Sequence, residues 1–145
     1  MIRHIASIAE IVDDLEGAVR FYRDVLGLEV EQEPGSGYAL VKVEGTLHFG
    51  IWERGNAAVA TLGDRDQKDK IPLGFSIGFE VDSVKESVEQ TEGRGGSILQ
   101  PTKEEAWGQV TSRFFSPSGA LCEFSEMPKA RRITHPMIAS DETQE

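Results

Sequence analysis

The chain states one pattern twice. Moving "SIAEIVDDLEGAVRFYRDVLG" forward by 69 residues lays Ser7 on Ser76, Val12 on Val81, Asp13 on Asp82, Leu15 on Val84, Val19 on Val88 and Gly27 on Gly96. So long a period lies outside the range of solenoid repeats and marks two copies of one supersecondary unit. In each copy an apolar strand runs into residues able to cap a helix, Asp13 with Glu16, or Asp82 and Ser83 with Glu86. In the first helix Leu15, Ala18, Val19, Tyr22, Val25 and Leu26 fall at helical spacing, and Gly27 supplies a left-handed end. The second helix keeps Val84, Val88 and Thr91 and ends at "GRGG". Three strand-like runs follow each helix: "LEVEQE", "YALVKVE" and "TLHFGIWE", then "SILQPT", "QVTSRFFS" and "ALCEFSE". The order strand, helix, strand, strand, strand therefore occurs twice, which predicts an α+β fold. The copies span residues 1–54 and 73–127. Residues 55–72 have no period and many charges, so they read as a linker or mobile lid, and 128–145 as a tail.

Composition limits the partners. A net charge of −10 opposes nucleic acid and anionic lipid, both of which need basic surface, and "KARR" (Lys129 to Arg132) is too short to reverse it. No apolar run approaches the roughly 18 residues that a membrane helix needs. Glu10, Asp13 and Asp14 break up the N-terminus before a signal-peptide core can form. The one cysteine, Cys122, sits among apolar neighbours and reads as a reduced, buried thiol. A cytoplasmic protein is expected.

The stretches "DDLEGAVRFYRDVLGLEV" and "WGQVTSRFFSPSGALCEFSE" resemble the vicinal oxygen chelate superfamily, the group of glyoxalase I, extradiol dioxygenases, fosfomycin-resistance transferases and bleomycin-resistance proteins. The resemblance covers residues 3 to 127. It implies two βαβββ modules forming a cupped mixed sheet, an open barrel with the helices on its outer face. It also implies a ligand pocket in the cup and a homodimer. Metal-using members hold one divalent ion with histidines and glutamates on the inner faces of the first and last strands of each module.

Carried onto this sequence, those positions are Ser7, Ser76, Glu123 and a fourth that depends on register. In "TLHFGIWE", Leu47, Phe49 and Ile51 form an apolar face for the helix, which turns His48, Gly50 and Trp52 into the cup. Gly50 then corresponds to Glu123; a slip by one residue would give Phe49, and neither binds metal. Metal sites of the zinc type need about three protein ligands, and hydroxyls replace imidazole or carboxylate poorly. The expectation is therefore no metal and no cofactor. One rearranged set remains, His4, His48 and Glu123, provided that a bulge turns His4 inward; Glu10 on the helix side suggests such an irregularity. His135 falls in the tail.

Three roles stay open for Glu123, the acid at the centre of "SGALCEFSE". It can bond Ser7, Ser76 or Ser125, recognise a cationic or hydroxyl-bearing ligand, or serve as a catalytic general base. A buried carboxylate needs a partner, water or a proton, and the serines are the nearest candidates. Trp52 on the cup face and Trp107 at the rim offer flat surfaces to a guest, and Gly78 leaves room for one. Phe21, Phe75, Phe79, Phe114 and Phe124 read as core. The expected function is metal-independent binding of a small organic molecule by Ser7, His48, Gly50, Trp52, Ser76, Gly78, Trp107 and Glu123. The alternatives are a metal-dependent lyase or dioxygenase using the rearranged set, and a dimer without a ligand.

Overall fold

The computed structural model describes residues 2–128, so most of the tail, with His135, lies outside the described residues. In chain order the first copy contains β1 (Ile2–Val12), α1 (Leu15–Arg20) with a π-helical turn over Phe21–Val25, β2 (Glu29–Gln32), β3 (Tyr38–Lys42) and β4 (Phe49–Glu53). Then come α2 (Arg54–Leu62) and a 3-10 turn over Arg65–Lys70. The second copy contains β5 (Gly74–Val81), α3 (Val84–Gly93), β6 (Gln100–Glu104), β7 (Val110–Phe115) and β8 (Leu121–Glu126).

The strands form one open mixed sheet in the order β2-β3-β4-β1-β5-β8-β7-β6. Within each copy the first and last strands pair in parallel, β1 with β4 and β5 with β8. Antiparallel pairing of β1 with β5 joins the copies. This is the duplicated α+β arrangement that the sequence predicts. Among the described residues no helix is long and apolar enough to cross a membrane.

Helix ends follow the expected chemistry with one shift. Asp14, not Asp13, caps α1 by accepting from the Gly17 amide at 3.0 Å, and Ser83 caps α3 by accepting from Glu86 N at 3.2 Å. Gly27 turns the chain at φ 72°. On the outer face Val19 of α1 and Tyr22 of the π-helical turn pack with Ala39, Val41 and Ile51, while Val84 of α3 packs with Val81 and Phe124. Phe79 and Phe114 pack on the second of these clusters. Phe21 and Phe75 do not join the core: they are 47% and 59% exposed. Phe75 lies on β5 at the seam between the copies, where its ring contacts Phe49 at 6.3 Å between centroids.

The segment expected as an aperiodic linker or mobile lid is instead a packed helix and turn. Ala57, Ala58 and Ile71 are fully buried with Ile11 and Leu121. Ile11 shares its side of β1 with Ser7 and Ala9, and Leu121 shares its side of β8 with Glu123, so α2 closes one end of the cup-lining face. Glu53 starts this helix by accepting from the amides of Gly55 and Asn56 at 2.8 and 3.0 Å, and it also meets Arg65 at 2.7 Å. Burial alone would raise its carboxyl, but Arg65 and the two amides outweigh burial and hold it below the usual value. Gly63, at φ 77°, ends the helix.

Candidate functional site

Register fixes what faces the cup. Ser7 lies opposite Gly78 and Ala9 opposite Ser76, the mutual pairing that a 69-residue duplication demands. Ala9 also neighbours Gly50 on β4, and Gly78 neighbours Glu123 on β8, so Gly50 and Glu123 occupy equivalent places. Phe49 belongs to the opposite side, its ring 5.4 Å from Tyr22 beneath α1.

A cavity of about 500 Å³ opens on this face. Ser7, His48, Trp52, Ser76, Gly78, Trp107 and Glu123 all line it. Gly50 does not, because a Cβ there would stand 1.8 Å from the Tyr38 hydroxyl oxygen. The phenol of Tyr38 lies across Gly50 and takes the place of the side chain equivalent to Glu123. It also bonds His48 Nε2 at 2.6 Å and meets Trp52 edge-on. Burial first, then the charge of Glu123, raise the Tyr38 hydroxyl well above its ordinary pKa, so it stays protonated beside His48.

Glu123 has a partner, and it is not a serine. Arg113 stands directly across from it on β7 and places Nη2 2.7 Å from Oε2. The two side chains are 6% and 18% exposed. The same guanidinium reaches Gln100 Oε1 and lies 3.7 Å from Glu105 Oε1, with its Cζ 5.3 Å from the centre of the Trp52 ring. Burial pushes the Glu123 carboxyl upward and Arg113 pulls it back, with burial the larger influence. Ser76 donates to the Ala9 carbonyl at 3.2 Å, and Gln109 connects Ser125 to Trp107 at the rim. Near Gly78 two polar atoms converge: Ser7 Oγ is 2.7 Å, and Glu123 Oε1 3.6 Å, from where a Cβ would lie.

The rearranged metal set is not assembled. Irregularities do interrupt β1, between Ile2 and His4 and between Ile5 and Ser7, and His4 pairs with Glu80 outside the cavity lining. Among the described residues no group of three or more histidine, cysteine, aspartate or glutamate side chains is placed to share an ion. Two hydroxyls, a glycine and a carboxylate already bound to arginine do not fit the divalent ion that the fold family uses.

Arg113, Tyr38, Gln109 and Met127 line the cavity without having been singled out in the sequence. The signal for Arg113 was present: a hairpin closed at "SPSG" puts it opposite Glu123.

Comparison with known proteins agrees with this fold. The model of the Glyoxalase/Bleomycin resistance protein/Dioxygenase superfamily matches residues 3–124. A superfamily member from Vibrio splendidus 12B01 is 16% identical, with a TM-score of 0.61 over 88% of this chain and 100% of that one. The methylmalonyl-CoA epimerase of Mycobacterium tuberculosis is 18% identical, with a TM-score of 0.61 over 90% and 92%. A Streptomyces coelicolor methylmalonyl-CoA epimerase variant in complex with 2-nitronate-propionyl-CoA is 20% identical, with a TM-score of 0.57 over 87% and 98%. These identities carry the fold alone. No curated protein matches the chain. The duplicated strand order, the cup and the family match together make this chain a member of the glyoxalase/bleomycin resistance protein/dioxygenase superfamily.

Proposed function

We propose that the chain is a metal-independent receptor for a small organic molecule, held in the cup and working as a homodimer in the cytoplasm. The observation that carries this reading is the Arg113–Glu123 pair at 2.7 Å. Glu123 is the only ligand-type side chain at the four positions where relatives hold metal, and its charge is already spent on arginine. An ion would have to compete with a guanidinium and gain only hydroxyls in return. The cavity meanwhile remains open, with a volume inside the range of about 300–1,000 Å³ common for small-molecule sites. Its side chains do not fill it, which argues against a dimer without a ligand. Exposed Phe75 and Ile5 on β5 and β1 give apolar surface on which a second copy can pack.

The test is binding of 2-naphthol, a small planar probe, followed by calorimetry with and without EDTA. Equal affinity in both is expected. Binding that disappears with chelator and returns with a divalent ion would overturn the proposal.

A further inference from the structure

Resting on the reading of the cavity as a receptor site, we infer that its occupant is an uncharged planar molecule carrying an O–H or N–H group for Glu123 Oε1. Among the described residues Arg113 is the only lysine or arginine lining the cavity, and both of its terminal nitrogens already have partners. Nη2 holds Glu123 and Nη1 reaches Gln100, with Glu105 behind at 3.7 Å. Nε is buried and has no hydrogen-bond partner among the described residues, so an incoming anion cannot reach it. A carboxylate or phosphate guest would meet no unmatched positive charge and would face Glu123 directly, an arrangement that costs several kcal/mol when desolvated.

A cation fares little better. Arg113 stands 2.7 Å from the carboxylate that would have to receive it, and already covers the Trp52 ring that would otherwise stabilise it. The pair leaves one acceptor unused. Arg113 takes Oε2, while Oε1 lies beside Gly78 with no hydrogen-bond partner among the described residues. Ser7 Oγ approaches the same point from β1. An ionised carboxylate oxygen can only accept, so the complementary group on the guest is a donor, and Ser7 can serve an acceptor beside it. Around this polar spot the lining is mostly apolar and aromatic, including Trp52, Trp107 and Leu121, which suits a flat hydrocarbon body. An arginine cancelled by its own glutamate thus makes a neutral pocket with one strong acceptor.

Four probes of nearly the same shape separate these possibilities by calorimetry on the full chain: 2-naphthol, 2-methoxynaphthalene, 2-naphthoate and 2-naphthylmethylamine. The expected order puts 2-naphthol at least about tenfold tighter than the methoxy analogue, which lacks the donor, a difference of about 1.4 kcal/mol. The naphthoate and the amine bind more weakly than 2-naphthol. In Glu123→Gln the 2-naphthol advantage shrinks and the naphthoate gains at least tenfold, because Arg113 loses its counter-charge. The wild-type comparison stands even if that variant folds poorly. Tighter binding of either charged probe, or equal binding of 2-naphthol and its methyl ether, overturns the inference while leaving the receptor reading intact. Failure of all four to bind overturns both.

Discussion

Arg113→Met destabilises the protein by about 3–5 kcal/mol, the cost of stranding a buried carboxylate whose partner has been removed. Arg113 and Glu123 are both largely buried and only 2.7 Å apart, so neither charge can turn to solvent for compensation. The loss depends on pH, and its sign follows from the direction of the shift. Burial already raises the Glu123 carboxyl in the folded protein, and Arg113 is the leading influence opposing it. Without Arg113 the folded-state value rises further above the unfolded one. A raised carboxyl contributes stability below its unfolded pKa and loses that contribution as pH climbs through the folded value. Arg113→Met is therefore less impaired near the ordinary carboxylate range than at neutral or alkaline pH. Adding Glu123→Leu removes the stranded charge and restores most of the stability. Denaturant melts of the two single variants and the double variant, repeated across pH, check this. A penalty under about 1 kcal/mol, or no recovery in the double variant, contradicts the pairing.

Gly50→Ala is the second large effect. The added methyl would meet the Tyr38 hydroxyl oxygen at 1.8 Å and its ring carbon Cζ at 2.1 Å, well inside contact distance. The phenol must leave its place over β4, which costs about 1–3 kcal/mol as overpacking and breaks its 2.6 Å bond to His48. Tyr38 lines the cavity, so the displaced ring disturbs its wall and binding of a planar probe weakens together with stability. Tyr38→Leu in the same background relieves the crowding and recovers stability. Thermal melts combined with the 2-naphthol titration read both effects. Unchanged melting and binding in Gly50→Ala contradict the position given to Tyr38.

Much of this architecture was legible in the sequence because duplication leaves a double record. Matching Ser7 to Ser76 and Gly50 to Glu123 needs only the period of the strands and the apolar face formed by Phe49 and Ile51. The errors have physical causes. The helix over Arg54–Leu62 buries Ala57, Ala58 and Thr61, small side chains that give little hydrophobic periodicity, so the charged stretch around them reads as linker. Its caps, Glu53 and Gly63, were the available signal. Phe75 reads as core because alternation fixes which side of β5 it occupies, not whether anything covers that side. The serines were the nearest hydroxyls to Glu123 in the alignment of the two copies, but a directly opposed arginine on the neighbouring strand supplies charge as well as hydrogen bonds. Tyr38 reads only as the residue that opens a strand, since its hydroxyl reaches across to Gly50 from another strand, a contact that no one-dimensional spacing records.

The central claim is that this cup gave up its ion-binding side chains and locked the remaining acid to an arginine. Elemental analysis of protein purified without chelator, then equilibrated with zinc, nickel, manganese and iron(II) and desalted, tests it most directly. The account predicts far less than one metal ion per chain, with Glu123→Gln indistinguishable from wild type. Near-stoichiometric metal that Glu123→Gln removes would contradict it.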